Sequence, residues 1–183
     1  CLLVPPKTFA GIKNNVQVPE SGLTRESAIE TVIGQCDKNT AIVGTTGYTS
    51  REIYEVREKL GQGHGADFLC VGSMGHALAI AQGVAVAKPN RSVVCLDGDG
   101  ACLMHMGTMT LSKTMNCKNL VHILMNNKVH DSVGAQPIGC SQGPDEDGAK
   151  TTVHDLDFAQ IALNVGIYFS STQNSFKLID SKK

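Results

Sequence analysis

Val93–Gly134 reads VVCLDGDGACLMHMGTMTLSKTMNCKNLVHILMNNKVHDSVG. Two short apolar runs, Val93–Leu96 and Leu120–Met125, have the length and flanks of buried strands, and the stretch between them fits a helix after a glycine turn around Asp99. The spacing predicts a βαβ unit. Parallel neighbours joined by a crossover helix bring their carboxyl ends together, so Asp99 and Asn127 can share one small site despite their distance in sequence. A carboxylate, a side-chain amide and nearby carbonyls form a hard oxygen set of the kind Mg²⁺ takes when it also holds phosphates. Gly98 and Gly100 let the backbone come close to a ligand, and the N–H groups that open the next helix, from Ala101 onward, face an anion.

Towards the N-terminus, Ala41–Val43 reads as a strand that exits into Gly44-Thr45-Thr46-Gly47-Tyr48-Thr49-Ser50, ahead of a charged helix over Arg51–Leu60. Hydroxyls and helix-opening N–H groups make this a second phosphate cradle, with a plain Ser/Thr helix cap as the alternative. Thr24 is placed to cap an earlier helix carrying Ala28, Ile29, Val32 and Ile33 at helical spacing. Phe68–Val71 reads as a strand leading into Gly72-Ser73-Met74-Gly75-His76, followed by a helix of small residues over Ala77–Ala87. Taken alone, Met74 reads as a core residue.

Towards the C-terminus, His130 and Asp131 open a polar run just beyond Asn127; a solvated surface turn is the plain reading. Residues 139–152 are acidic and glycine-rich, and Leu156–Val165 reads as a helix ended by Gly166. Ile167–Phe169 is a candidate strand, and the polar stretch after it reads as carrying no further element. The whole predicts an α/β fold, a doubly wound and mostly parallel sheet with helices on both faces.

The totals agree with one such domain. The chain has 183 residues, 42% of them hydrophobic, with 19 glycines, no tryptophan and a formal charge of −1. That balance, without a basic cluster, gives no reason to expect nucleic acid, and no apolar run approaches the roughly 20 residues of a membrane span. The 7 cysteines contain no C-x-x-C pair, which favours reduced cysteines packed as small hydrophobes in a cytoplasmic protein. Leu2–Val4 reads as a strand with nothing before it to pair with. Residues 1–22 are therefore expected to be the tail of a preceding domain and a linker, with residues 23–183 the domain itself, truncated or diverged at its far end.

GDG, then 25 residues, then NN resembles the thiamine diphosphate (ThDP) binding motif of ThDP-dependent enzymes, in which Mg²⁺ links the diphosphate to the protein. The resemblance implies that Asp99 and Asn127 are side-chain metal ligands and that Val129 supplies a backbone carbonyl. It places the terminal phosphate at Thr45, Thr46 and Thr49 and the diphosphate beside Gly98, Gly100, Ala101 and Asn127. The Gly72 carbonyl would accept from the aminopyrimidine, with Ser73 in the same turn and Met74 wedged beneath the cofactor.

TTGYTSRE, DFLCVGSMGHA, AKPNRSVVCLDGDGACLMHMG and NNKVHDSVGAQP together resemble the cofactor half of the phosphonopyruvate decarboxylase family, with sulfopyruvate decarboxylase close behind. The similarity spans roughly residues 24–166. Lys128 and Ile138 depart from it, standing where Gly and Thr are expected. The implied reaction converts 3-phosphonopyruvate to phosphonoacetaldehyde and CO₂, the cofactor accepting the electrons and His130 and Asp131 being candidates to handle protons. The resemblance also implies a homo-oligomer and a pyrimidine-binding domain that carries a glutamate, in the same longer chain or in a second subunit. Without it, the chain is expected to bind ThDP and Mg²⁺ weakly or not at all and to show negligible turnover. Arg51, Lys128 or that other domain would meet the phosphonate of the small 2-keto acid. The alternatives are a beta-type subunit of sulfopyruvate decarboxylase and a catalytically silent, truncated module of the same fold. A nicotinamide-binding domain is set aside because no G-x-G-x-x-G follows the first strand.

Overall fold

The computed structural model describes residues 23–134, 136–138, 156–166 and 176–180. The expected strand at Leu2–Val4, the linker, the acidic stretch at 139–152 and the candidate strand Ile167–Phe169 lie outside them. The chain starts with α1 (Arg25–Gly34), whose N-cap Thr24 accepts from the Ser27 N–H as its sequence position suggested. There follow β1 (Ala41–Gly44), α2 (Tyr48–Lys59), β2 (Asp67–Leu69), α3 (Ala77–Ala87) and β3 (Val93–Gly98). Next come α4 (Asp99–Met104), α5 (Thr108–Thr114), β4 (Leu120–Asn126), the short pair β5 (Val129–His130) and β6 (Gln136–Pro137), α6 (Phe158–Asn164) and β7 (Phe176–Asp180).

The five long strands form one parallel sheet in the order β2-β1-β3-β4-β7. Alternation along the strands sorts the core into two halves. Ala41, Val43, Val93, Cys95, Leu120 and Leu124 face α3, Met109 of α5 and Phe158 of α6. Ile42, Val94, Leu96 and Ile123 face Ile29 and Ile33 of α1 and Ile53 and Val56 of α2. Both faces are covered, which is why these strands read as continuous apolar runs rather than alternating ones. The doubly wound α/β expectation therefore holds.

From β1 the chain crosses by α2 to β2 on one side and returns by α3 to β3 on the other. The strand order reverses between β1 and β3, and their exits diverge there to leave a crevice at the carboxyl edge. Gly44 ends β1 under α2, where an added Cβ would stand 2.6 Å from Ile53 Cδ1; the small residue is what lets that helix lie close over the strand.

Three elements differ from expectation. The helix between β3 and β4 is broken at His105–Gly107 into α4 and α5. Tyr48, not Arg51, begins α2, because Gly47 supplies the turn with a φ of 110° that glycine takes easily. FKLID at 176–180, read as part of a polar tail, is a parallel edge strand beside β4. Its pattern is short and half polar, as suits an edge, and its pairing is set by β4 rather than by its own composition.

Cys70, Cys95 and Cys102 are buried free thiols, and Cys36 and Cys117 are half-buried. Burial pushes all five up, Cys102 to about 12, so they stay protonated and behave as packing residues. Among the described residues no helix is long and apolar enough to cross a membrane.

Candidate active site

Asp99 sits at the first position of α4, straight off the end of β3, and is 3% exposed. One of its carboxylate oxygens accepts from Gly100 N at 2.7 Å and the other from Lys128 N at 2.6 Å. The loop that leaves β4 is thus folded back onto the β3 exit, and the two halves of the GDG…NN motif meet. Burial pushes the Asp99 carboxyl above the usual carboxylate range, against the pull of the Gly100, Lys128 and Asn127 N–H groups and the nearby His130. A carboxylate strained towards neutrality in this way gains most from a cation beside it.

Asn127 is exposed at the mouth of the site. Its Oδ1 accepts from Val129 N at 3.2 Å and its Nδ2 donates to Asp131 Oδ2 at 2.8 Å. Lys128 has a φ of 66°, in the left-handed region that favours glycine, which is the physical reason a glycine is expected at that place. The loop keeps its shape with lysine there and holds the strain locally. Ile138, the second departure, is buried in the core, and its N–H donates to the Lys128 carbonyl at 3.0 Å. His130 and Val129 form β5, paired antiparallel with β6, where the sequence had suggested only a surface turn. The His130 ring lies directly on Gly100, and an added Cβ at Gly100 would collide with it.

The β1 exit closes the other wall. Thr45 is buried, its N–H donates to Leu96 O at 2.9 Å and its carbonyl accepts from Ser50 Oγ at 2.7 Å, yet its own hydroxyl Oγ1 has no partner among the described residues. An unsatisfied buried hydroxyl has a free-energy cost that a bound acceptor removes. A Cβ added at Gly98 would stand 3.9 Å from Thr45 Cγ2, so the two strand exits touch across the switch point. Thr49 is buried in the first turn of α2. That helix starts with no side-chain cap and no acidic residue in its first turn, so its N–H groups and positive dipole end are left for an anion. The plain Ser/Thr-cap alternative is not what the structure has.

The turn after β2 reaches the same place. Thr46 Oγ1 donates to Gly72 O at 2.6 Å. Ser73 has a φ of 54°, Met74 is half-buried, and Gly75, at φ 91°, packs so tightly on α4 that an added Cβ would lie 2.7 Å from His105 Nδ1 and 3.0 Å from Ala101 O. The residues singled out in sequence at the four strand exits therefore converge on one edge of the sheet.

Two features escaped the sequence reading. Asp97 and His122, both buried on adjacent strands, are joined Oδ2 to Nε2 at 3.2 Å, and Asp97 Oδ1 accepts from Gly98 N at 3.0 Å. Cys95 lies beside them, the ligating atoms of the three falling within 4.8 Å of one another. Polar residues at inward positions of apolar strands were the signal for this pair. The second feature is Arg25, whose partners Glu52 and Asp131 lie 27 and 106 positions away, beyond any local pattern.

Residues 43–181 match the thiamine pyrophosphate enzyme, C-terminal TPP binding domain. A phosphonopyruvate decarboxylase of Streptomyces hygroscopicus is 40% identical over 113 residues, 62% of this chain and 27% of that protein. The sulfopyruvate decarboxylase subunit beta of Methanothermobacter thermautotrophicus is 33% identical over 114 residues, 62% of this chain and 58% of the subunit. The chain thus spans about a quarter of the one relative and somewhat over half of the other. A protein isolated from Mycobacterium smegmatis and described as a thiamin diphosphate-dependent enzyme has the same fold, with a TM-score of 0.62 at 16% identity over 86% of this chain and 31% of that one. With the parallel sheet, the switch-point crevice and the matched span in agreement, the chain belongs to the thiamine pyrophosphate enzyme family, as its C-terminal TPP-binding domain.

Proposed function

We propose that this chain is the cofactor-binding half of a ThDP- and Mg²⁺-dependent 2-keto acid decarboxylase whose substrate is 3-phosphonopyruvate. The observation that carries this reading is the β4 exit loop folded onto Asp99, which sets a buried carboxylate beside an exposed amide, across the switch point from a Thr45 hydroxyl that has no partner among the described residues. The residues present suit the cofactor. Asp99, the Asn127 amide oxygen and the Val129 carbonyl are hard oxygen donors for Mg²⁺. The Thr45 hydroxyl and the open N-terminus of α2, with Thr49, take the terminal phosphate, and Thr46, whose hydroxyl donates to Gly72 O, ties that wall to the next turn. Gly98 leaves room beside the diphosphate, with Gly100 and Ala101 following at the start of α4, where the His130 ring covers Gly100. Gly72, Ser73 and Met74 seat the pyrimidine.

When bound, ThDP supplies the electron sink for the carbon–carbon bond that breaks. The protein's own share is to bind, orient and handle protons. His130, fixed over Gly100 beside the metal residues, is placed to hold or release a proton at its imidazole. A pyrimidine-binding domain, in the same longer chain or a second subunit, completes the site and brings the activating glutamate. The relatives that support phosphonopyruvate are those at 40% and 39% identity, and those that support sulfopyruvate are at 33% and below.

Pairing the chain with a pyrimidine-binding partner and offering both keto acids tests the proposal. Release of CO₂ and phosphonoacetaldehyde, dependent on both ThDP and Mg²⁺, is the expected result. Turnover of sulfopyruvate alone would move the assignment to the beta-subunit reading, and absence of any ThDP·Mg²⁺ binding would leave a silent module of the same fold.

Thr45→Val gives a sharper check on the phosphate wall. Removing a buried hydroxyl with no partner is expected to leave the melting temperature of the free protein unchanged or higher. With the pyrimidine-binding partner present, affinity for ThDP·Mg²⁺ should meanwhile fall about tenfold, the cost of one hydrogen bond to a charged acceptor. Calorimetry and thermal melts read the two effects separately.

A further inference from the structure

Arg25 lies in the first turn of α1, ahead of the 43–181 span that matches the family. Its Nε and Nη2 donate to the two carboxylate oxygens of Glu52, both at 2.8 Å, and its Nη1 donates to Asp131 Oδ2 at 2.8 Å. That same Asp131 oxygen accepts Nδ2 of Asn127 at 2.8 Å. The Tyr48 ring, at the first residue of α2, lies 5.3 Å from the guanidinium carbon of Arg25. The bidentate grip of Glu52 fixes the plane of the guanidinium, so its remaining arm meets Asp131 in one orientation.

The consequence falls on Asn127. A side-chain amide can turn over by half a rotation, exchanging its oxygen for its NH₂. An acceptor at Asp131 selects the NH₂ end, which leaves Oδ1 facing the loop and Val129 N at 3.2 Å. Arg25 in turn offsets part of the Asp131 charge and holds that carboxylate in place. We propose that Arg25, acting through Asp131, is a positioning residue that orients the Asn127 amide with its oxygen towards the metal loop. This rests on Asn127 being a ligand for the cofactor's metal, and it gives Asp131 a positioning role in place of a proton-transferring one.

The tie has a readout in the free protein, namely exchange of the Lys128 and Val129 amide hydrogens followed by NMR. Arg25→Met is expected to speed exchange at Val129 about tenfold while the melting temperature stays near that of the wild type, since partly exposed ion pairs add little to global stability. With the pyrimidine-binding partner present, the Mg²⁺ concentration for half-maximal activity should rise about 10- to 100-fold, the usual cost of losing a residue that supports a ligand, with kcat at saturating Mg²⁺ less affected. Arg25→Lys, which keeps one donor but not the fork, should restore part of both. Asp131→Ala, which removes the shared acceptor and leaves the Glu52 grip intact, gives the same readings should Arg25→Met not fold. Unchanged exchange together with an unchanged Mg²⁺ requirement overturns the proposal. Faster exchange in a protein whose wild type, with the pyrimidine-binding partner present, ignores both ThDP and Mg²⁺ overturns the cofactor reading beneath it.

Discussion

Asp99→Ala is expected to remove the stabilisation that ThDP and Mg²⁺ give the protein when it is paired with its pyrimidine-binding partner. A ligand at about 100 times its dissociation constant adds roughly 2.7 kcal/mol to the folded state, and the variant should gain none of it. Two opposed changes act on the free variant. The Gly100 and Lys128 N–H groups lose their acceptor, at about 1–3 kcal/mol for each that stays unsatisfied, while a carboxylate that burial pushes towards its neutral form is no longer buried. Both act with or without ligand, so the ligand-dependent shift of each protein is read against its own unliganded melting temperature. With the partner domain supplied, activity should fall by at least about 100-fold, more than the loss of a mere supporting residue. Thermal melts with Mg²⁺ alone, ThDP alone and both together check this. A variant that keeps its ligand-dependent shift would place the metal elsewhere.

Asp67→Ala should have the largest effect on stability. Its carboxylate is held by Arg57 Nε at 3.1 Å and Nη2 at 2.9 Å, with the Arg57 and Asp67 side chains 5% and 1% exposed. Arginine keeps its charge at any working pH, so removing the carboxylate leaves a buried cation whose one remaining side-chain partner among the described residues is Gln62 Oε1, at 2.5 Å. The expected loss is about 3–5 kcal/mol, a large share of the 5–15 kcal/mol that holds a domain of this kind together. Urea unfolding reads it as a lower midpoint at an unchanged slope. Adding Arg57→Met should recover most of the loss, because replacing both partners by apolar groups is often near neutral. A drop below about 1 kcal/mol would mean that water reaches the guanidinium.

The two predictions differ in how far the sequence foretold them. Asp99 and Asn127 were legible because strand periodicity, a glycine turn and a fixed separation all act over one βαβ unit. The positions of the Thr45–Thr49 turn and the Gly72–Gly75 turn at strand exits were legible for the same reason, as each follows an apolar run. Arg57–Asp67 and Arg25–Asp131 were not, because an ion pair between separate elements leaves no periodic trace. Asp97 and His122 were passed over, since a polar residue in an inward strand position is their whole trace in the sequence, and their pairing depended on a register that emerges when the strands are set side by side. The start of α2 was misplaced by three residues because Gly47, rather than a hydroxyl side chain, makes its turn. The β7 strand was missed because an edge strand draws its order from the neighbour it pairs with.

The buried thiols offer a clock. Cys95, at the centre of the sheet with its thiol pushed well up by burial, meets an alkylating reagent only when the strands around it part. Half-buried Cys36 and Cys117 need smaller excursions. Labelling rates at these positions, followed by mass spectrometry, would separate fraying at the periphery from breathing of the whole sheet, with no probe added to the molecule.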